Sequence, residues 1–327
     1  HLVITWLDLA APLASPNPAS VAEPEAAVRI SALQRYDAEH ALRVLLAQEA
    51  MEHGAARSMM PVVNRECRFC VWQEHCAAQL PEDELSKRIA KAPLDWHEVL
   101  TLRSLGVHTV GDLAGADLDD LAARYLPRVG HRDGGEARLR LAQRRARLLA
   151  NGVELERTTA GPLSLPAHEL EIDLDIETSA DDFAYLWGFH VDDRATGERY
   201  YRAFEAFTDL DAAGERELAG RAFAWLAGLT RGRDAAVYHY SDYETLRVQR
   251  LAAALAEHGD AELADWVRGF AAESFVDLFG LVKGHFFGAN GLGLKVVASA
   301  GAGFHWRDEE PGGLASQGWF ADAVHAP

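Results

Sequence analysis

Acidic and apolar residues alternate in the segment 171–178, which reads Glu-Ile-Asp-Leu-Asp-Ile-Glu-Thr. A period of two predicts a half-buried β-strand, so Asp173, Asp175 and Glu177 project from one face. Carboxylates this close repel each other unless a cation lies between them, and carboxylate oxygens are the ligands that Mg²⁺ and Mn²⁺ prefer. The segment therefore predicts either a divalent-metal site or an exposed edge strand whose like charges prevent aggregation.

A second acidic position follows the apolar run at 235–239. That run predicts another strand, and 243–258 has helical spacing, so Glu244 lies at a helix start directly after a strand. An acid there can reach a metal held by segment 171–178 if the two strands are adjacent and parallel. Two alternatives remain open, namely Asp242 as the ligand and a helix-terminal acid that only offsets the helix dipole.

All three cysteines fall within ten residues, at Cys67, Cys70 and Cys76. The spacing C-x2-C-x5-C lets two thiolates bind one metal from a tight turn and a third from the following helix. An odd, clustered count fits a metal site better than a disulfide framework. We expect the three to share one metal, with His75 or a cysteine outside this chain as the fourth ligand. Three unliganded core cysteines are the alternative.

Helical patterns surround the cysteines. Apolar residues recur at helical spacing in 23–60. In 100–114, a helix is expected to end at Gly106 and Thr109 to cap the next one, which predicts a helical hairpin. Such a hairpin either binds a backbone phosphate through its turn amides or is purely structural.

A run of arginines follows in 136–147. Arg140 and Arg144 are four residues apart and share a helix face. In a chain that is otherwise acidic, this local excess of positive charge predicts contact with phosphate. A solvated helix face is the alternative.

The pattern changes to strands in the C-terminal half. Turn residues separate three apolar segments and predict an antiparallel meander. Asp277 is expected to cap a helix, with a substrate-side residue as the alternative. The predicted class is α/β (α+β), with a mostly helical N-terminal part and then a mixed sheet. The elements expected there are strands at 171–178, 183–191 and 199–204, a helix at 215–229, a strand at 235–239 and a helix at 243–258.

The chain has 327 residues, 49% of them apolar, and a formal net charge of −18. This length suffices for two or three domains with their own cores. The negative charge argues against a protein that coats nucleic acid without specificity. No signal peptide or bilayer-spanning apolar run is visible, and the chain begins at His1 instead of Met. We therefore expect a soluble, cytoplasmic piece of a longer protein with no membrane partner.

Several of these segments resemble nuclease motifs. Leu-Asp-Ile-Glu-Thr at 174–178 resembles the first motif of the DEDD 3′–5′ exonucleases of the RNase H-like superfamily, and 237–244 resembles the second. Segment 67–76 resembles the end of iron–sulfur nuclease domains of the RecB/AddB type, and 105–107 resembles a helix-hairpin-helix turn. The whole arrangement resembles RecB-like nucleases that carry a YprB-like ribonuclease H domain.

This resemblance implies three regions, namely the end of a RecB-like domain in 1–95, a helix-hairpin-helix-like region in 96–158 and an RNase H-like exonuclease domain in 159–327. It implies two-metal phosphodiester hydrolysis with Mg²⁺ or Mn²⁺, in DNA repair or nucleic-acid processing. DNA is the expected substrate before RNA, and a helicase in the same longer chain is the expected partner. The implied site residues are Asp175, Glu177 and Glu244 for catalysis, His239 and Lys295 for nucleic-acid contact, and Cys67, Cys70 and Cys76 for a 4Fe–4S cluster, with zinc as the alternative. Lys295 is otherwise a solvated side chain, and Arg140 and Arg144 are nucleic-acid contacts by their charge and not by the resemblance.

One part of the family pattern is missing. The last motif of the exonucleases, an aromatic residue followed by an Asp on a helix, is not found before Pro327; Asp322 follows Trp319 and Phe320 without the family spacing. We expect this motif to lie beyond the chain. A non-catalytic scaffold that binds nucleic acid and carries a structural iron–sulfur or zinc site is the alternative function.

Overall fold

The computed structural model describes residues 8–11, 31–53, 60–91, 93–130, 134–308 and 312–325. The chain forms two units, His1–Glu156 with Gly288–Gly291, and Arg157–Phe287 with Leu292–Pro327. The change of unit at 156–157 lies close to the start of the predicted exonuclease domain at 159.

The first unit is helical, as the apolar spacing predicts. The predicted helical region at 23–60 contains the helix Ala32–His53. Residues 23–30 and 54–59 lie outside the described residues. A short 3₁₀ helix, Arg65–Phe69, precedes the second α-helix. The helices are α1 Ala32–His53, α2 Gln73–Ala77, α3 Leu85–Arg88, α4 Trp96–Ser104, α5 Val110–Gly115, α6 Leu118–Val129 and α7 Gly135–Ala150.

Helices α4 and α5 form the predicted helical hairpin. Helix α4 ends at Ser104, and Gly106 follows with a φ of +86°, a conformation that favours glycine. Thr109 caps α5 by accepting the N–H of Asp112 at 3.1 Å, which confirms the predicted cap. One apolar core joins α3 to α7, so the regions predicted as 1–95 and 96–158 share buried residues, among them Leu85, Leu102, Leu113, Tyr125 and Leu139.

A buried carboxylate lies at the centre of this core. Glu98 in α4 is fully buried, and its oxygens accept hydrogen bonds from Arg138 at 2.8 and 2.5 Å. The Tyr125 hydroxyl donates a third bond at 3.2 Å, and the N–H of Asp95 donates a fourth at 2.8 Å. Both oxygens are therefore satisfied, which a buried charge requires.

The second unit contains a five-stranded sheet with the order β4-β3-β2-β5-β6. Two further short strands, β1 Leu155–Arg157 and β7 Phe286–Gly288, fall where the chain passes between units. The other elements are β2 Leu170–Thr178, β3 Ala184–Asp193, β4 Glu198–Glu205, α8 Ala212–Thr230, β5 Ala235–His239, α9 Asp242–Glu257, α10 Ala261–Ser274, β6 Phe275–Asp277, α11 Leu278–His285, α12 Leu294–Ala302 and α13 Gly313–Val324.

The sheet is mixed. Strands β2, β3 and β4 pair in antiparallel fashion, which confirms the predicted meander. Strand β5 pairs with β2 in parallel, and β6 pairs with β5 in parallel. One face carries the core, formed by alternate residues of β2 and β3 with helices α8, α9 and α10. The mixed α/β class is therefore confirmed.

An ion-pair network holds the turn between β2 and β3. Asp182 lies in this turn with a φ of +65°. The buried Arg247 of α9 donates to the Asp182 carbonyl at 2.8 Å and to Glu215 of α8 at 3.4 Å. Glu215 also accepts the N–H of Ala184 at 2.8 Å. The turn is thereby fixed to both helices that cover the core face.

Among the described residues, none of the helices combines the length and the apolar character that crossing a bilayer requires.

Replacing Glu98 with Ala should lower the free energy of unfolding by about 3 kcal/mol or more, because Arg138 is left without its buried partner. Chemical denaturation followed by circular dichroism measures this change. Glu136→Ala is the matched control, since Glu136 pairs with Arg140 at 2.8 Å with both side chains about half exposed. That substitution should change stability much less than Glu98→Ala, because the pair is exposed to solvent. Equal effects of the two would contradict a central role for Glu98.

Candidate functional site

The acidic face of β2 is the starting point of the site. Ile172, Leu174 and Ile176 are buried in the core. Asp175 points from the opposite face and keeps exposed surface, and Glu177 is half-buried. The alternation in the sequence is therefore translated directly into two faces of one strand.

Strand β5 brings the second acidic position toward this face. Its parallel register with β2 runs from Leu170 opposite Ala235 to Asp173 opposite Tyr238. Because β5 ends at His239, the start of α9 follows just beyond the paired residues. This parallel neighbour is the one that the sequence argument requires for an acid at the start of α9.

Glu244 lies in the first turn of α9 and is 9% exposed. Its Oε2 is buried and has no hydrogen-bond partner among the described residues. The nearest cationic candidate is His239, whose Nδ1 lies 4.0 Å from that oxygen. His239 itself is 6% exposed and its Nδ1 lies 2.8 Å from the Ser241 carbonyl oxygen. A buried carboxylate oxygen without a donor is costly unless it is protonated or binds a cation.

The acids interact electrostatically. Burial raises the pKa of Glu244, and the charges of Asp175 and Asp277 act in the same direction, so that the pKa is about 7. Burial also raises the pKa of Asp175, although this residue keeps exposed surface, because protein atoms crowd its carboxyl group. The pKa of Glu177 is raised by burial and then by Asp175, against the opposing effects of Ser316 and Lys295. Asp175 is thus the common neighbour of the acids from β2 and α9.

The turn into α9 is strained and held from two sides. Ser241 has a φ of +87° and a ψ of −172°, a region that glycine normally occupies. Its N–H donates to Asp277 Oδ1 at 3.1 Å. Asp277 also accepts the N–H groups of Phe279 at 2.9 Å and Gly280 at 3.1 Å, which confirms it as the predicted helix cap. The same carboxylate therefore caps α11 and fixes the turn that places Glu244.

Helix α13 covers the other end of the acidic face. The Ser316 side chain favours the ionised form of Glu177 and so opposes the rise of its pKa, and the Ser316 hydroxyl lies 2.5 Å from the Tyr185 hydroxyl. The Tyr185 ring stacks on Phe320 with centroids 4.1 Å apart. Sequence reasoning missed Ser316 and Tyr185. No signal in their spacing indicates them, because they join the site through contacts between distant segments.

Lys295 and His239, the residues predicted to contact nucleic acid in this unit, lie in different surroundings. Lys295 is exposed in the first turn of α12, and its charge favours the ionised form of Glu177. It therefore lies near the acidic face. His239 is buried and fixes the turn at Ser241, so little of its ring is accessible to a ligand.

The arginines predicted to bind phosphate are paired within the first unit. Arg140 contacts Glu136 at 2.8 Å and Asp119 at 3.6 Å, and Arg144 contacts Glu156 at 2.5 Å. All of these side chains are at least two-fifths exposed. A phosphate would have to compete with these carboxylates for the guanidinium groups.

The three cysteines lie on consecutive turns. The N–H of Cys70 donates to the Cys67 carbonyl at 3.0 Å, and the N–H of Cys76 donates to the Trp72 carbonyl at 2.9 Å. The Cys67 sulfur accepts the N–H of Asn64 at 3.3 Å. The thiols form no disulfide, and Cys70 is exposed.

Within the part of the chain that the structure describes, no three His, Cys, Asp or Glu side chains are arranged as a ligand set for a metal ion. The donor chemistry nevertheless fits metals at both places. Three thiols within ten residues of the sequence, one of which accepts an N–H, are of the ligand type that iron and zinc prefer. The unpartnered oxygen of Glu244, electrostatically coupled to Asp175, suits a hard divalent cation.

Comparison of the chain with protein-family models, curated proteins and solved structures gives no match in any of the three. The assignment of a function therefore depends on the residues and the geometry described above.

The raised pKa of Glu244 predicts a pH-dependent stability. Its pKa rises from 4.5 unfolded to about 7 folded, so the folded state binds more protons between these values and stability falls as pH rises through that window. Ionisation of Glu244 lowers the free energy of unfolding by about 3 kcal/mol, and this decrease is complete above pH 7. Urea unfolding in the presence of a chelator, at a series of pH values, measures it.

Glu244→Gln should remove this part of the pH slope. Glu257→Gln is the matched control, because Glu257 is exposed at the end of the same helix, and this variant should keep the wild-type slope. A Glu244→Gln protein with the wild-type slope would contradict the assignment of the shift to Glu244.

The cysteine cluster predicts bound metal. Protein purified without oxygen should contain iron with visible thiolate-to-iron absorption, or colourless zinc, and Cys70→Ser should lower the metal content because one thiolate ligand is lost. Elemental analysis with absorption spectroscopy measures both. His75→Ala tests the fourth ligand and lowers the content only if His75 binds. Metal content unchanged in Cys70→Ser would rule out a shared site.

Proposed function

We propose that this chain is a metal-dependent nuclease whose active site lies on the acidic face of β2. The observation that carries the proposal is Glu244, a buried carboxylate with an unpartnered oxygen that is coupled to Asp175 on the parallel neighbouring strand. Such a site favours the binding of a divalent cation, which replaces repulsion between the acids with attraction.

In this proposal Asp175, Glu177 and Glu244 hold Mg²⁺ or Mn²⁺. When bound, the ions supply Lewis acidity and an activated water for phosphodiester hydrolysis. The ionised form of Glu244 is needed for binding, so occupancy increases as pH rises through its pKa of about 7. Asp277 and His239 are positioning residues because both fix the turn at Ser241.

The exposed Lys295 is proposed to contact the substrate phosphate, since its ammonium group lies near Glu177 without a salt-bridge partner among the described residues. A cation at the edge of an acidic site offsets the repulsion between carboxylates and a phosphodiester. For Arg140 and Arg144, phosphate contact remains a proposal that requires exchange of their carboxylate partners.

We further propose an RNase H-like fold for the second unit. Three antiparallel strands followed by two parallel strands joined through helices, in the order β4-β3-β2-β5-β6, support it. The cysteines are proposed to bind a 4Fe–4S cluster or zinc that stabilises the first unit. The remaining proposals are a DNA substrate, a role in repair, a helicase partner and a cytoplasmic location.

The decisive experiment measures cleavage of a labelled single-stranded oligonucleotide with Mg²⁺ or Mn²⁺. We expect cleavage that a chelator abolishes. Asp175→Asn should reduce kcat/KM by about a hundredfold or more, because it removes a charged metal ligand.

Asp173→Asn is the matched control for this substitution. Asp173 lies two residues away on the same face, and its exposed carboxylate is 3.2 Å from His190 Nδ1. This variant should retain activity within about threefold, as expected for an exposed pair. Activity of Asp175→Asn equal to wild type would overturn the proposal. Binding without metal-dependent cleavage would instead favour the non-catalytic scaffold.

A further inference from the structure

Strand β4 forms one edge of the five-stranded sheet. Its residue Tyr201 pairs with His190 of β3, and His190 pairs in turn with Asp173 of β2. Residues in register across neighbouring strands project from the same face, so Tyr201 lies on the acidic face. It is 59% exposed.

The Tyr201 side chain leans across the sheet toward the acids. A Cβ built on Gly188 would collide with the Tyr201 hydroxyl and would lie 3.1 Å from Cζ and 3.2 Å from Cε2. Gly188 is the residue directly opposite Asp175 in the β2–β3 register. The end of the phenol ring therefore rests on the backbone beside Asp175, in a space that only glycine leaves free.

The electrostatics agree with this position. The pKa of Tyr201 is raised by burial of its hydroxyl and then by the charges of Asp175, Glu205 and Glu177. The Tyr201 hydroxyl is therefore protonated and neutral at physiological pH. The effect of Asp175 and Glu177 on it agrees with a position beside the proposed metal ligands.

The exposed part of the Tyr201 ring is not used for stacking against another aromatic ring of the described residues. Tyr185, also close to the acids, is 4% exposed and stacks on Phe320. Tyr201 stacks on no aromatic ring among the described residues. A large aromatic side chain whose hydroxyl end packs against Gly188 and whose ring is largely open to solvent is suited to stacking against a planar ligand.

We propose that Tyr201 is a stacking platform for a nucleobase of single-stranded substrate, placed beside the carboxylates by Gly188. This inference rests on the proposed nuclease function and names the part of the substrate that this face recognises. Every nucleobase has a π-face, so the contact selects for unpaired bases and not for sequence. A paired base is already stacked within its duplex and gains little from the platform.

The test uses a short single-stranded oligonucleotide whose terminal base is a fluorescent adenine analogue. Stacking on Tyr201 should quench its fluorescence in the wild-type protein. Tyr201→Ala and Tyr201→Leu should raise Kd and KM about fivefold to a hundredfold, which is the range for loss of one base–aromatic stack. Their kcat should change little, since the contact binds ground state and transition state alike. Tyr201→Phe should retain quenching, KM and kcat.

One control and one further variant separate stacking from other effects. Tyr200→Ala removes a neighbouring tyrosine that is 38% exposed and pairs with Val191 on the opposite face, so it should leave KM unchanged. Gly188→Ala should displace the Tyr201 ring and weaken binding as Tyr201→Ala does.

The outcomes distinguish the two proposals. Wild-type cleavage with an unchanged KM in Tyr201→Ala and Tyr201→Leu overturns the platform alone. Equal loss of binding in Tyr201→Phe would assign the effect to the hydroxyl and would also overturn it. Wild-type protein that neither binds nor cleaves the oligonucleotide overturns the nuclease function and the platform together.

Discussion

The parallel pairing of β2 with β5 determines where the acidic residues of this protein meet. Only four residue pairs join the strands, and the last of them is Asp173 with Tyr238. Strand β2 continues beyond that point, whereas the chain of β5 turns into α9. The final acids of β2 and the first turn of α9 are therefore neighbours. A shift of two residues would preserve the faces but move Glu244 by about 7 Å along β2.

Much of the second unit was predictable because its signals are local. The alternation around Asp175 predicts both the strand and its faces, and the structure gives β2 as Leu170–Thr178. The run at 235–239 is the strand Ala235–His239. The caps at Thr109 and Asp277 were also predictable, since a cap requires only a short polar side chain before a helical pattern. The parallel pairing of β2 with β5 was a condition that the proposed site required, and the register of the two strands meets it.

Contacts between distant segments were not predictable in this way. Ser316 approaches Glu177 from α13, and Tyr201 reaches Gly188 from the edge strand. Neither contact leaves a periodic trace in the sequence. The ion pairs of Arg140 were not predictable for the same reason. The run of arginines in the sequence indicates a phosphate site, whereas in the folded chain Glu136 and Asp119 pair with Arg140. In a chain with net charge −18, an exposed arginine usually finds a carboxylate.

The strained conformation of Ser241 affects both the stability of the second unit and the accuracy with which the turn places Glu244. Its φ of +87° and ψ of −172° are sparsely populated by non-glycine residues and cost about 1–3 kcal/mol. Packing elsewhere in the unit must offset this strain, and the hydrogen bonds to Asp277 and His239 keep the turn from relaxing. A glycine at 241 would relieve the strain and also enlarge the set of conformations open to the turn. Greater heat resistance and a tightly held acidic cleft are therefore opposing demands on one backbone position.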